Sequence, residues 1–312
     1  MGELIELLRP YKIIATVGLC KNAGKTTVLN YLLNHWTKDK VIGITSIGYD
    51  GEAIDGVTML AKPRIYGRKG LLVATCQSCL LDFKGTYELL ESTNYRTPLG
   101  QVVIARLITP SEIELAGPSV VSELGDVCRR MIAYGCHHVI ADGAAGRMSY
   151  ATQVDGAIFS VGAAYSQSMK KVVDASGYKV QLLALKEVDC PIQLPVDRIY
   201  RKKIILGISY YCFRGLLADK DLEEIMLKAV VDKTVLVVIN SAAIFLSEQM
   251  YNRFIDQGGT IQVIDAINLL ALTVNPMSPY GPWFPAEVFR KLIEERTGRA
   301  TFDIGPVSEP HG

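Results

Sequence analysis

Residues 12–30 read "KIIATVGLCKNAGKTTVLN", an apolar run that passes through a glycine-bearing loop into helix formers. Lys12 to Val17 is short, apolar and β-rich, the composition of a strand buried on both faces of a parallel sheet. Val28, Leu29, Leu32, Leu33 and Trp36 recur at the spacing of one helix face. Strand, loop and helix in this order bring backbone N–H groups together at a helix N-terminus, which suits a phosphate. Gly18, Lys21, Asn22, Ala23, Gly24, Lys25, Thr26 and Thr27 are therefore the candidate nucleotide-binding residues. Lys25 is placed for the β/γ-phosphates and is a candidate catalytic residue; the Thr26 hydroxyl is placed for Mg²⁺. Gly24 lets phosphate approach the backbone closely. The common motif puts its first glycine five residues before the second, whereas here Gly18 stands six before Gly24 and Leu19 fills the expected place. The alternative is a plain strand-turn-helix junction with a surface lysine. Lys21 is either a second phosphate contact or an ordinary loop lysine.

Working outward, "KVIGITSIG" (Lys40 to Gly48) supplies a second strand and completes a βαβ unit with parallel strands. Asp50 to Pro118 is less regular, with strand-like pieces at Leu71 to Thr75 and Gln101 to Ile108; it reads as a strand-rich insertion or an extended sheet edge. A helix starting at Ser119 and ending at Gly135 leads into the strand of "HHVIADGAAGR". Further strands are predicted near Gly156 to Val161, Val180 to Leu185, Val235 to Ile239, Ile261 to Ile264 and Leu270 to Val274. Helices are predicted near Gln167 to Ala175, Asp219 to Val231 and Pro285 to Thr297, with a loose tail after Arg299. This alternation predicts an α/β fold, a doubly wound and mostly parallel sheet with helices on both faces, and the glycine-lysine loop at the end of its first strand makes a P-loop NTPase fold with a strand-rich insertion the expectation. Residues 1–185 would form the nucleotide-binding core, with the insertion near 50–118, and 186–312 would continue the same sheet.

A phosphate loop is usually completed by an acid at the end of another parallel strand, and "HVIADG" offers Asp142 for Mg²⁺. The alternative for Asp142 is a turn-initiating residue before Gly143. The loop "SIGYDGEAIDG" offers Asp50 as a catalytic and Mg²⁺-ordering group, or as a solvated loop acid; Tyr49 and Glu52 are weaker candidates. No Asn-Lys-x-Asp guanine reader appears, so ATP is favoured over GTP. Asn240, at a strand end, either approaches the base or caps the next turn. The four histidines show no ligand spacing, and no Ser-His-Asp or G-x-S-x-G constellation is present.

Bulk properties exclude several classes. Hydrophobic residues are 49% and charged residues 21% of 312, with Lys+Arg 33 against Asp+Glu 32 and a net charge of +1. That balance leaves no footprint for nucleic acid. Arg198, Arg201, Lys202 and Lys203 read as a solvated strand edge. The longest apolar runs fall short of the ~20 residues that cross a bilayer, so no membrane partner is expected. "MGELIELLRP" lacks a basic leader, which predicts a cytoplasmic protein. Seven cysteines without a secretory signal predict free thiols, including the Cys76/Cys79 CxxC.

"GLCKNAGKTT" resembles the loops of the signal-recognition/MinD/BioD class of P-loop NTPases. "KNAGKTT" is similar to the molybdopterin-guanine-dinucleotide accessory protein, and the extra residue after the first glycine to dethiobiotin synthetase. The resemblance implies ATP and Mg²⁺ held by Lys25, Thr26 and Asp142, with homodimerisation as an option; Cys20 stands where that class has its signature lysine. "ITSIGYDGEAIDG", "KPRIYGRKGLLVATC", "ELAGPS", "VIADGAAGR" and "LTVNPMSPYG" together resemble the smaller subunit of the lysine 5,6-aminomutase reactivase. That resemblance implies a MutS-like ATPase partner and, as client enzyme, a cobalamin-dependent aminomutase. It makes Gly143 to Arg147 and Asn275 to Gly281 candidate nucleotide or partner surfaces, against ordinary Gly/Pro turns. The expectation is an ATP-driven accessory protein. The alternatives are a dethiobiotin-synthetase-like ligase or small-molecule kinase, using Lys62, Arg64, Arg68 and Lys69 for an acidic substrate, and a nucleotide-stabilised structural subunit.

Overall fold

A computed structural model describes residues 2–36, 40–49, 64–143, 148–189, 200–281 and 283–305. The chain forms two compact units, one of Met1–Gly177 with Leu269–Gly312, the other of Tyr178–Asn268.

In the first unit the chain runs through α1 (Gly2–Leu8), β1 (Ile13–Gly18), α2 (Lys25–His35), β2 (Ile42–Ile47), β3 (Ile65–Gly67), β4 (Leu72–Cys76) and a short α3 (Gln77–Leu81). It continues through β5 (Tyr87–Thr97), β6 (Gly100–Leu107), β7 (Ser111–Ile113), α4 (Val121–Ala133), β8 (His138–Gly143) and β9 (Gly156–Gly162). α5 (Met169–Leu183) then carries the chain into the second unit. That unit holds β10 (Tyr200–Ile205), β11 (Ile208–Phe213), β12 (Leu217–Ala218), α6 (Asp219–Lys228), β13 (Thr234–Val238), β14 (Ile244–Phe245), α7 (Glu248–Asp256) and β15 (Thr260–Val263). The chain returns with β16 (Leu269–Asn275), α8 (Ala286–Thr297) and β17 (Thr301–Asp303).

The first unit is a mixed α/β structure around a nine-stranded sheet of order β17-β16-β9-β1-β8-β2-β4-β6-β5. Pairing is parallel from β17 through to β4, and antiparallel where β6 joins β4 and β5 joins β6. β1, β2 and β9 are buried along their whole length, which is why they read as unbroken apolar runs. Successive side chains point to opposite faces. Ile42 and Ile44 thus join the core formed with α1 and α2, whereas a Cβ on intervening Gly43 would stand 2.8 Å from Met131 of α4. Helices therefore cover both faces. The irregular stretch predicted as an insertion supplies β4, β5 and β6, so it extends the sheet edge, and β3 pairs with β7 in a small separate ribbon.

Three sequence expectations change. The strand predicted at Val180 to Leu185 is the end of α5; an apolar run this short fits either element, and Leu182 is buried in the second unit's core from the helix. The tail predicted to be loose after Arg299 begins with a strand, β17, which pairs in parallel with β16 at Thr301, Phe302 and Asp303; residues 306–312 lie outside the described residues. Residues 186–312 do not all continue one sheet: β10, β11, β13 and β15 form their own four-stranded sheet, and only β16 and β17 belong to the large one. The cause is a second apolar core, in which Phe213, Leu236, Leu222 of α6 and Phe254 of α7 are fully buried together. Among the described residues no helix is long and apolar enough to cross a membrane.

Candidate functional site

β1 lies between β9 and β8, well inside the sheet, and its carboxyl end delivers the loop that leads into α2. Asn22 (φ 60) and Gly24 (φ 103) turn the chain in the left-handed region. A Cβ at Gly24 would carry that strain and stand 3.0 Å from the Asn275 Cβ at the end of β16. On the neighbouring strand, a Cβ at Gly162 would come within 2.6 Å of the Ala23 Cα, which is backbone and has nowhere to retreat. Leu19 N–H donates to the Ser160 carbonyl at 2.9 Å, fixing the start of the loop on β9. The loop is thus seated against the carboxyl ends of β9 and β16.

Lys25 opens α2 and is only 9% exposed. Its stem folds back over Gly18, where a Cβ would lie 3.1 Å from Cγ. No side chain caps α2 and its first turn contains no acid. The N–H groups of its first turn have no intrahelical acceptors, and with the helix dipole and Lys25 they make a locus of positive potential. Burial pushes the Cys20 thiol up to about 11 against the opposing pull of Lys25, so it stays protonated at neutral pH.

Asp142, next to last in β8, is in register with Thr16 of β1 on one side and Ser46 of β2 on the other. Its Oδ1 accepts from the buried Thr16 hydroxyl at 2.7 Å and from Gly143 N–H at 2.9 Å. The first bond ties the carboxylate to the loop-bearing strand, and the second is local to β8; the turn that Asp142 could initiate falls at residues outside those described. Tyr150 underlies this pair. Its hydroxyl donates to the Thr16 carbonyl, and burial, with the Asp142 charge second, holds it far above the usual tyrosine range. A Cβ at Gly143 would lie 2.4 Å from the Tyr150 ring. Neither Thr16 nor Tyr150 stands out in the sequence, since each becomes distinctive only once β1 and β8 are neighbours.

Beside the loop lies a cavity of about 120 Å³ between Gly24 and Thr27 on one side and the ends of β16 and β17 on the other. Its lining is mostly apolar, with Thr27, Thr273, Asn275 and Asp303 as polar members. Asn275 Oδ1 accepts Met277 N–H at 3.2 Å and Asp303 Oδ1 accepts Gly305 N–H at 2.9 Å, so both side chains are oriented by their own turns.

The structure thus gathers Gly18, Ala23, Gly24, Lys25 and the front of the Asn275 to Gly281 segment, with Lys21 exposed, Asn22 half-buried, and Thr26 and Thr27 in the first turn of α2. Asp50, Glu52, Lys62 and residues 144–147 lie outside the described residues. Asn240 belongs to the second unit, where its Oδ1 caps a short turn by accepting Ala242 N–H at 3.0 Å. Arg64 pairs with Glu112, and Arg68 donates to the Trp36 and Lys40 carbonyls at 3.2 Å each. Among the described residues no group of three or more His, Cys, Asp or Glu gathers as a metal site. Cys76 and Cys79 are free and buried, and Cys76 Sγ lies 2.8 Å from Thr97 Oγ1. No family model, no curated protein and no solved structure matches this chain.

Proposed function

We propose that the chain is a P-loop NTPase that binds a nucleoside triphosphate at residues 18–27, ATP in preference to GTP, and acts as an accessory protein to a client enzyme. The observation that carries this reading is the seat of the loop: Gly24 and Gly162 occupy places where any Cβ would strain or collide, under a buried Lys25 at an uncapped helix start. Such a cradle fits phosphate oxygens better than it fits a purely structural turn. The adjoining apolar cavity suits a base, whose faces are apolar and whose edge needs few polar partners. Mg²⁺ bound with a nucleotide needs only one or two protein oxygens because the phosphates and water supply the rest. Thr26 and Asp142 fit that role, and the ion would neutralise charge on the phosphates.

The preference for ATP rests on the missing guanine reader. The client, a cobalamin-dependent aminomutase handled with a MutS-like ATPase in the cytoplasm, rests on the resemblance of five short strings. The ligase or kinase reading is second, because Arg64 and Arg68 are already engaged by Glu112 and by backbone carbonyls.

Calorimetric titration of the chain with Mg-ATP and Mg-GTP tests the site. Saturable ATP binding, weaker GTP binding and a large weakening of both in Lys25→Ala are expected. A folded wild type that binds neither nucleotide would overturn the reading.

A further inference from the structure

The second unit carries a feature that nucleotide binding does not use. Among the described residues β10 is an edge strand, paired only with β11, and the hairpin between them turns at Leu206 (φ 50) and Gly207 (φ 82). Leu206 is 98% exposed and Ile204 is 65% exposed. The pairing of Ile205 with Ile208 leaves a two-residue turn that requires positive φ at both positions, which Asn or Gly adopts with least strain, so a bare leucine there presents apolar surface that the fold does not need. Arg201, Lys202 and Lys203, next to this apolar tip, are also exposed. The hairpin from Tyr200 to Phe213 contains these three cations and no Asp or Glu. Side chains alternate along a strand, so Arg201 and Lys203 project from one face and Lys202 and Ile204 from the other, where the Lys202 Nζ lies 5.3 Å from the centre of the Tyr211 ring.

We propose that the β10–β11 hairpin is a lipid-surface anchor that inserts its Ile204/Leu206/Ile208 tip into an anionic bilayer interface with Arg201, Lys202 and Lys203 at the headgroups. Two observations favour lipid over an acidic protein. The cations flank the tip on both faces, which matches a surface entered end-on, whereas a protein docking on one face would leave the other face's cation unused. Leu206 also stands three residues beyond Lys203, about 10 Å at ~3.3 Å per residue, close to the depth to which interfacial elements bury apolar groups. The expectation of no membrane partner rests on the lack of a spanning segment, which does not bear on a hairpin tip.

The test is co-sedimentation of the full chain with phosphatidylcholine vesicles, alone or with about one third phosphatidylserine, at low and high salt. Binding to the anionic vesicles is expected, suppressed by salt and weakened about tenfold by Leu206→Asn and by the Arg201→Gln/Lys203→Gln pair. Asparagine accepts the left-handed conformation, so Leu206→Asn keeps the hairpin folded, and its unchanged circular dichroism and nucleotide binding would show this. Equal binding of wild type and Leu206→Asn would overturn the proposal. So would wild type that ignores anionic vesicles at low salt, which would turn the hairpin over to an acidic protein surface.

Discussion

Asn22 and Leu206 are the non-glycine residues in the described chain that hold a positive φ, 60 and 50 respectively, and they do so for opposite reasons. Asn22 is half-buried in a loop seated on β9 and β16, and asparagine is among the side chains that tolerate this region best. Its conformation is demanded from within, by the loop seat between Leu19 and Gly24. Leu206 is fully solvated at a hairpin tip, and leucine is poorly suited to the same region. The two-residue turn between paired Ile205 and Ile208 asks for a positive φ at both of its positions, but it does not ask for a leucine there. Strain matched by local packing indicates a site assembled by the fold, and strain without packing indicates a surface kept for something outside it.

The largest effect expected is at the seat of the loop. Gly162→Val places branched carbon where a Cβ already lies 2.6 Å from the Ala23 Cα. Overpacking of this kind costs about 1–3 kcal/mol, read as a lower denaturation midpoint, and nucleotide binding should disappear from calorimetry. If Gly162→Val binds ATP like wild type, the loop is not held by β9 and the contrast with the hairpin collapses. Lys25→Ala should keep its stability near wild type and lose about 10- to 150-fold in ATP affinity, the worth of a charge-assisted hydrogen bond. Loss of stability without loss of affinity would make Lys25 a packing residue.

A smaller effect is expected beneath the loop. Tyr150→Phe removes one buried hydrogen bond from the Thr16 carbonyl, which also faces β8 in the parallel ladder, at a cost of about 0.5–1.5 kcal/mol. Chemical denaturation should show that loss, with ATP affinity falling less than in Lys25→Ala. An unchanged midpoint would mean that the Thr16–Asp142 pair holds its place without the tyrosine.

The unequal legibility of the two regions follows from how each encodes its structure. The glycine loop is local: strand, glycines, lysine and amphipathic helix fall within 24 consecutive residues, 13–36, so sequence spacing alone places Lys25 at the helix start. Asp142 is legible as an acid ending an apolar run. Gly162, Thr16 and Tyr150 acquire meaning only through strand order, which brings β9 and β8 beside β1 from more than a hundred residues away, and the same order sets Asn275, marked in the sequence by resemblance alone, against the loop. The second unit is hidden for another reason. Its β13 and β15 are parallel apolar strands like those of the large sheet, so composition could not tell which sheet they join. The basic stretch of β10 does read as an exposed edge, but the apolar tip beyond it is invisible without the turn at Leu206 and Gly207.

The smallest effect is also the most direct comparison, because it exchanges the character of the two strained residues. Asn22→Leu puts a poor left-handed residue into a loop whose backbone cannot relax away from β9, and should cost about 1 kcal/mol together with some ATP affinity. Leu206→Asn relieves a similar strain where no buried contact is lost, and should raise stability by about 0.5–1 kcal/mol. Thermal melts of the two variants without nucleotide should therefore shift in opposite directions. Two downward shifts would show that packing inside the chain holds Leu206 in its conformation, and the distinction between an assembled site and an outward-facing tip would fail at its sharpest point. Opposite shifts, with vesicle binding lost only in Leu206→Asn and nucleotide binding weakened only in Asn22→Leu, would separate the two functions by residue.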